Sequence, residues 1–346
     1  MDKVYVIHEY GAPTHFYALD CLLSAHGVPS EKYELNLWGQ FKKAVKKLSF
    51  KAFCRMLHNL GFLLSLPFLR PAKVVLGLAP YHRWLGALLP FLKRHKVYYF
   101  TSYTCWDGTR QVHRPSRRTM EKWRAFLRQC AHVFAVSEKT KSELVRNGWV
   151  DEPSVTVVGH SYVTRPDTSA SHPKDNRFIA VGALEPRKGI DELLACFAAC
   201  PDAQLTIVGK GSLEDHVKAA VESHPNIQWL GYISDQKVLF QRYKEHSFFI
   251  LNSKRTEGWE ELFGMALIEA SACGLVPLAS DHSGPCEILR NGENGLVFRE
   301  GELSAAVDEC IGWSDEEYAR VRAAAMDNGR RFYVENVAGR WSKVLE

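Results

Sequence analysis

Two α/β domains, each built on a parallel sheet, are what this sequence predicts, and three observations predict them. Short apolar runs of strand length alternate with longer helical patterns along most of the chain. One polar stretch rich in Ser and Pro, residues 165–177 (RPDTSASHPKDNR), interrupts the alternation, which restarts after it. The 346 residues are long for one core and comfortable for two. Strand–helix alternation on both sides of a linker implies two parallel sheets with helices on their faces. Ligands of open α/β sheets bind at the carboxyl ends of the strands, so two such domains facing across a cleft would place a site between them.

The elements follow in order. Residues 3–8 are a short apolar run that ends at Gly11, and residues 16–24 read as a helix. Residues 74–78, 97–101 and 133–136 are strand-like. Ser137 has the side chain of a helix cap and opens a helix over 138–146, with a strand at 155–158. Beyond the linker come strands at 178–181, 204–208, 227–230 and 248–251, interleaved with helices at 191–199, 213–223 and 236–243. The apolar stretch 260–280 holds a buried helix and then a strand at 276–279, and 296–298 closes the series. The first domain is expected to span 1–165 and to be rejoined by a C-terminal helix over 330–346, with the second spanning 175–329.

Composition narrows the function classes. Hydrophobic residues make up 46% and charged residues 24%, as in an ordinary globular protein. The nine cysteines form no C-x-x-C pair, which points to a reduced, cytoplasmic setting and to no structural metal. The N-terminus (MDKVYVIHEYGAP) reads as a strand and turn rather than a signal peptide, and no run is long enough to span a bilayer. The net charge of +5 hides an asymmetry. Residues 35–106 contain no Asp or Glu but twelve Lys and Arg, so the remainder carries −7 (5 − 12). Such a lobe suits an anionic partner.

The stretch EELFGMALIEASACGLVPLAS, residues 260–280, is apolar around most of its circumference yet carries Glu269. A buried carboxylate is costly unless something pairs with it. Phe263 and Gly264 stand where the helix begins, and free amides at a helix start attract anions. Glu269 lies about 40° round the wheel from Met265, bordering the inward stripe. There it suits a vicinal diol such as a ribose, or else a neighbouring Arg as cap. Upstream, Gly182 ends a strand and Arg187-Lys188-Gly189 leads into a helix, where adjacent cations suit a diphosphate. Gly209-Lys210-Gly211 and Leu230-Gly231-Tyr232-Ile233 are two further strand-end turns, and a lone G-x-G is a weak sign.

In this order and spacing, the pieces resemble the C-terminal half of a retaining glycosyltransferase of the GT-B fold, glycosyltransferase family 4, in which two Rossmann-like domains face each other. The Glu-x7-Glu element with Phe-Gly inside it is matched by ELFGMALIE, Glu261 to Glu269. Lys188-Gly189, Gly209-x-Gly211, the Leu230-Gly231-Tyr232 turn and the run 283–298 (SGPCEILRNGENGLVF) match its other motifs, so the likeness covers roughly residues 130–300. The resemblance implies that Glu269 holds ribose hydroxyls, that the Gly264 and Met265 amides with Arg187 and Lys188 hold the diphosphate, and that Glu261 and the Phe263 amide bind the donor sugar. It also implies that Tyr232 and Ile233 border the base, and that Gly11 and Ala12 face the phosphates from the first domain. Such enzymes need no metal or other cofactor. Cations and amides stabilise the departing nucleotide, and configuration is retained by front-face attack through an oxocarbenium-like state. Two positions depart from the pattern. Ala183 stands where many members carry Arg, and no His follows the strand in VYYFTSYTCWDG, where Ser102, Tyr103 or Trp106 takes the place.

In the first half, residues 41–60 read as one basic amphipathic helix. Lys43, Lys47, Lys51 and Arg55 recur at four-residue spacing, Lys46 joins them, and Phe41, Val45, Leu48, Ala52 and Met56 lie on another side, with Leu60 nearby. With GFLLSLPFL following, this suits an anionic membrane interface, at about 1 kcal/mol for each cation near the surface. The alternative is a helix that covers the sheet with its lysines in water. Trp106, Arg110, His113 and Arg117 are candidates to hold a lipid-linked or phosphorylated glycan acceptor. The expected activity is a hexosyl transfer from a nucleotide sugar, UDP-linked rather than GDP-linked, to a membrane-associated glycan such as lipopolysaccharide, on the cytoplasmic face. A sugar-nucleotide epimerase of the same fold and a non-catalytic nucleotide-sugar binder are the alternatives. An NAD oxidoreductase would need G-x-G-x-x-G after the first strand, where the chain has GAPTHF. No nucleic-acid motif is present.

Overall fold

The computed structural model describes residues 3–11, 13–46, 49–82, 84–104, 106, 115–167 and 174–346. The chain divides into two compact units, one of Met1–Ser161 with Val334–Glu346 and one of Tyr162–Tyr333. The break falls at Ser161, ahead of the polar stretch 165–177.

The first unit contains a six-stranded sheet of β1 (Val4–His8), β2 (Ser30–Glu34), β3 (Lys73–Gly77), β4 (Lys96–Thr101), β5 (His132–Ala135) and β6 (Val155–Val157), in the order β2-β1-β3-β4-β5-β6. Every pairing is parallel. The strands are apolar because helices cover them. Val74, Val75 and Leu76 are all buried, as are Tyr98, Tyr99 and Phe100. The polar β2 (SEKYE), an edge strand with only Tyr33 buried, carries no clear alternation and escaped the sequence reading. The chain returns at the helix Val334–Ala338 and a 3-10 turn, Gly339–Val344, whose Trp341 packs at 4.5 Å from Phe134.

The basic segment is two helices rather than one, Leu37–Lys46 and Phe50–Ser65. Ser49 caps the second, its hydroxyl accepting the Ala52 amide at 3.3 Å. The four-residue lysine repeat therefore does not run along a single face, and Lys47 lies outside the described residues. Buried Asn59 ties the helices to the sheet edge. It donates to Gln40 Oε1 at 2.9 Å and accepts the Glu34 amide at 3.2 Å.

The second unit contains β7 (Arg177–Val181), β8 (Gln204–Val208), β9 (Ile227–Trp229), β10 (Phe248–Leu251), β11 (Val276–Ser280) and β12 (Leu296–Phe298), in the order β12-β11-β10-β7-β8-β9 and again parallel throughout. The chain reverses its direction of travel between β7 and β10, so their carboxyl ends flank the crevice where such sheets bind ligands. The core closes on Phe178, which stacks on Phe248 at 4.7 Å, with Phe197, Val217, Val276, Leu303 and Val307.

Candidate active site

The crevice between β7 and β10 is where the motifs of the second unit collect. After β7 the chain turns through a 3-10 segment, Pro186–Lys188, into Gly189, which is left-handed (φ +63) and starts the helix Ile190–Ala198. A Cβ at Gly189 would stand 2.1 Å from the Asn252 carbonyl oxygen just past β10, so only glycine lets the two strand ends approach. Gly209 is constrained in the same way. Its Cβ would lie 1.9 Å from the Gly182 carbonyl oxygen, and one on Gly211 would lie 2.4 Å from that of Leu184. The three strand-end turns thus pack backbone on backbone.

Lys188 reaches from this turn and its ammonium donates to Glu261 Oε2, an ion pair of which both members are largely buried. Ser253 Oγ donates to the same oxygen at 3.0 Å. Glu261 is clamped through its backbone as well. Its amide donates to His282 Nδ1 at 2.9 Å, and its carbonyl accepts the Gly284 amide at 3.0 Å. His282 is fully buried and close to the Ser253 carbonyl, its Nε2 2.9 Å away. Because Nδ1 accepts, the ring proton belongs on Nε2, where it donates to that carbonyl. Burial also holds this imidazole below its ordinary pKa, keeping it neutral. A neutral histidine wired to two backbone groups positions Glu261; the sequence reading did not single it out. Its signal lies just ahead of the run 283–298.

Gly264 is left-handed (φ +95) and precedes the helix Met265–Ala272. The first acceptor inside that turn is the Gly264 carbonyl, taken by Leu267, so the Met265 and Ala266 amides have no acceptor within the helix. One turn on, Glu269 is buried and accepts from Gln236 Nε2 at 2.7 Å. Burial pushes its pKa up to about 7, with the Gln236 hydrogen bond opposing. No arginine caps it among the described residues, so the capped alternative is not what the fold adopts. Gln236 opens the helix Gln236–Tyr243 behind the Asp235 cap and is a second residue the sequence reading missed.

Arg187 is tied to Glu185 at 2.6 Å and lies 4.5 Å over the Trp259 ring, with Lys188 over the same ring at 5.1 Å. Tyr232 is 59% exposed, with Lys210 4.3 Å above its ring, an open flat face beside Ile233.

Of the acceptor candidates, Trp106 and Arg117 lie among the described residues, and neither faces a crevice. Trp106 is fully buried among Tyr99, Trp123 and Trp149, and its carbonyl accepts Trp149 Nε1 at 2.8 Å, so it is a core residue. A bulky aromatic at a strand end fills the unit's interior by hydrophobic burial before it can meet a ligand. Arg117 begins the helix Arg117–Gln129, with its side chain 93% exposed and paired to Glu121 at 2.9 Å. Arg110, His113 and Ala12 lie outside the described residues. Gly11 is left-handed (φ +68) in the turn after β1, as an αL glycine turn requires.

A lysine, an oriented carboxylate, helix-start amides and a deeper buried acid thus meet at the strand-order switch of the second unit. Residues 164–332, just under half of the chain, match the family described as Glycosyl transferases group 1. The fold of the whole is GT-B, two six-stranded parallel sheets with helices. Over 158 residues the chain is 32% identical to a GDP-mannose-dependent monoacylated alpha-(1-6)-phosphatidylinositol monomannoside mannosyltransferase of Corynebacterium glutamicum, covering 44% of this chain and 40% of the relative. It is 31% identical over 172 residues to a phosphatidyl-myo-inositol mannosyltransferase of Mycobacterium leprae, covering 47% and 44%. The match thus spans less than half the length of these relatives. Anabaena HepE, solved in complex with UDP and glucose, superposes with a TM-score of 0.67 over 100% of this chain and 99% of that one, at 17% identity, a likeness of fold.

Proposed function

We propose that the chain is a retaining hexosyltransferase that moves a sugar from a nucleoside diphosphate to a hydroxyl of a membrane-associated glycan. The observation that carries this reading is the meeting of Lys188 and Glu261, 73 positions apart, beside a helix start with free amides. The Met265 and Ala266 amides and Lys188, with Arg187 released from Glu185, would hold the diphosphate. Glu269 and Gln236 would take the ribose diol, and Glu261 the sugar hydroxyls. Lys188 keeps two further protons for phosphate oxygens while one remains on Glu261.

In the reaction the bond from the anomeric carbon to the phosphate oxygen breaks, and its electron pair leaves with the diphosphate. The acceptor oxygen bonds to the same face, and its proton is lost to the departing phosphate or to water. The lysine and amides stabilise the charge that grows on the leaving group, so the proposal needs no metal ion. Uracil is the expected base. GDP-mannose is the second reading, because the C. glutamicum relative is named for it. Relatives named for phosphatidylinositol mannosylation support a lipid-borne acceptor. The proposal places it at the cytoplasmic face of a membrane, in lipopolysaccharide or other surface-glycan synthesis. Among the described residues no helix is long and apolar enough to cross a membrane.

The test is release of nucleoside diphosphate from UDP-glucose, UDP-galactose, UDP-N-acetylglucosamine and GDP-mannose, with vesicle-borne glycolipid present, and NMR of the product's anomeric proton. Release from one donor with configuration retained is expected. Inverted product, or no release from any donor, would overturn the reading.

A further inference from the structure

The first unit carries a cavity that the donor site does not use. In the strand order β2-β1-β3 the chain crosses from one side of β1 to the other, so a second crevice opens at the carboxyl ends of β1 and β3. There a groove of about 540 Å³ runs from Glu9 and His82 to the helices Leu37–Lys46 and Phe50–Ser65. That volume suits one small amphiphile.

The groove has a polar end and an apolar end. At the polar end Glu9 is buried just past β1, its Oε2 accepting the Ala79 amide at 3.2 Å and its Oε1 lying 3.4 Å from His82 Nε2. The Trp84 amide donates to His82 Nδ1 at 3.2 Å, so the ring proton belongs on Nε2, facing the carboxylate. Burial raises the Glu9 pKa, but hydrogen bonds from His82 and Tyr10 and the Ala79 amide outweigh it and hold the group at about 2. Glu9 is thus an oriented, ionised carboxylate with lone pairs left to accept hydroxyls. At the other end Trp38, Phe41 and Met56 line the wall. Trp38 and Phe41 stack at 5.5 Å and are 64% and 38% exposed.

The two helices that line the groove carry further exposed apolar side chains. Val45, Phe50, Phe53, Leu57, Leu64 and Phe68 are all exposed on the same pair of helices and the turn that follows. Cations border it: Lys42 lies 5.3 Å from the Trp38 ring, and Lys46, Lys51 and Arg55 are exposed. An apolar face fringed by cations, in a segment without acids, complements an anionic bilayer. A groove that starts there and ends at a carboxylate complements a molecule with a chain at one end and hydroxyls at the other.

We propose that this groove binds the apolar chain of the acceptor, a lipid-linked glycoside or polyol drawn from the membrane surface, and presents its hydroxyl-bearing head to Glu9. The proposal rests on the glycosyltransferase reading and adds where the apolar chain and the head of that lipid-borne acceptor are held. Glu9 orders the head, and Trp38, Phe41 and Met56 select for a chain.

Dodecyl β-D-maltoside below its micelle concentration is the probe, with maltose as the head-only control, both followed by calorimetry on the full chain. One dodecyl maltoside per chain is expected, with maltose at least tenfold weaker. Trp38→Ser with Phe41→Ser changes exposed side chains, so folding is retained, and should weaken the amphiphile at least tenfold. Glu9→Gln should leave chain binding within about threefold but cut transfer to a glycolipid at least tenfold. Equal affinity for maltose, or binding unmoved by the double variant, would overturn the proposal. So would binding to vesicles containing phosphatidylglycerol with none of the monomeric amphiphile, which would make the face a surface anchor only. A dimer that the double variant dissolves would show that a second copy covers the groove, and would also overturn it. A UDP- or GDP-induced rise in melting temperature, measured in parallel, separates the two ideas. If the rise persists while the amphiphile fails, the groove is wrong and the transferase reading stands; without the rise, that reading itself fails.

Discussion

The two units share a sheet architecture and treat their ligand crevices in opposite ways. In the second unit the crevice is lined by backbone. Gly189 and Gly209 let strand-end turns touch, Lys188 and Ser253 hold the Glu261 carboxylate, and His282 holds the Glu261 backbone amide. In the first unit the crevice is lined by side chains and left open, with aromatic rings at its mouth and a single carboxylate at its base. A diphosphate is small, doubly charged and common to nucleotide-sugar donors, so a rigid nest of amides and cations suits it. A lipid chain is long, uncharged and variable, so an open apolar wall suits it better. On the proposed reading, donor specificity rests on fixed geometry in one unit and acceptor specificity on surface chemistry in the other.

Replacing Lys188 with Met should have the largest effect. A preorganised cation at a developing charge typically contributes a factor of about 10² to 10³ in kcat. Turnover with the best donor should fall by about that much with the circular dichroism spectrum unchanged; a loss under threefold would remove Lys188 from the chemistry. Gly209→Ala asks whether the rigid nest is real. A Cβ 1.9 Å from the Gly182 carbonyl oxygen forces the turns apart. This costs about 2–3 kcal/mol and lowers the melting temperature by roughly 5–10 °C. The same substitution at Gly61, where a Cβ meets nothing within 4 Å, should not destabilise.

Glu269 gives a smaller effect with a defined sign. Its pKa is about 7 in the fold and would be near the ordinary carboxylate value in the unfolded chain. Between those values the folded protein binds a proton that the unfolded chain does not. The stabilisation is therefore full below about pH 4.5 and is lost as pH rises through 7, on the order of 1–3 kcal/mol in all. Urea unfolding at pH 5.5 and 8 should show this loss in the wild type and its absence in Glu269→Gln. The smallest change belongs to the open face of the first unit. Lys46→Glu with Lys51→Glu should weaken binding to anionic vesicles by roughly ten- to a hundredfold at low salt, at about 1 kcal/mol per cation removed plus repulsion. Cosedimentation equal to the wild type would show that these lysines only face water.

Legibility divides along the same line. The second unit's motifs could be read because a glycine turn, a lysine and a spaced pair of acids are local features, each within a few residues of a strand end. What local reading could not supply was convergence. That Lys188 pairs with Glu261, or that His282 fixes the Glu261 backbone, depends on strand order in a parallel sheet, which places residues 73 positions apart side by side. In the first unit the apolar and basic character of residues 41–60 was plain, but the break between the two helices was not, although Ser49 carries the chemistry of a cap. Trp106 misled because an aromatic next to a strand end suits a core and a binding site equally, and only the packing of Trp123 and Trp149 decides. Glu9 escaped notice as a single acid after β1, given meaning only by Ala79 and His82 from beyond β3.

The central claim is that a nucleoside diphosphate is held by the helix start at Met265, with its ribose on Glu269. Calorimetric titration of UDP and GDP into the wild type and Glu269→Gln tests it most directly. One site per chain is expected for at least one of the two nucleotides, with about tenfold weaker binding in the variant, the worth of a hydrogen bond to a charged group. Binding of equal strength in both proteins, or no binding of either nucleotide to the wild type, would contradict it.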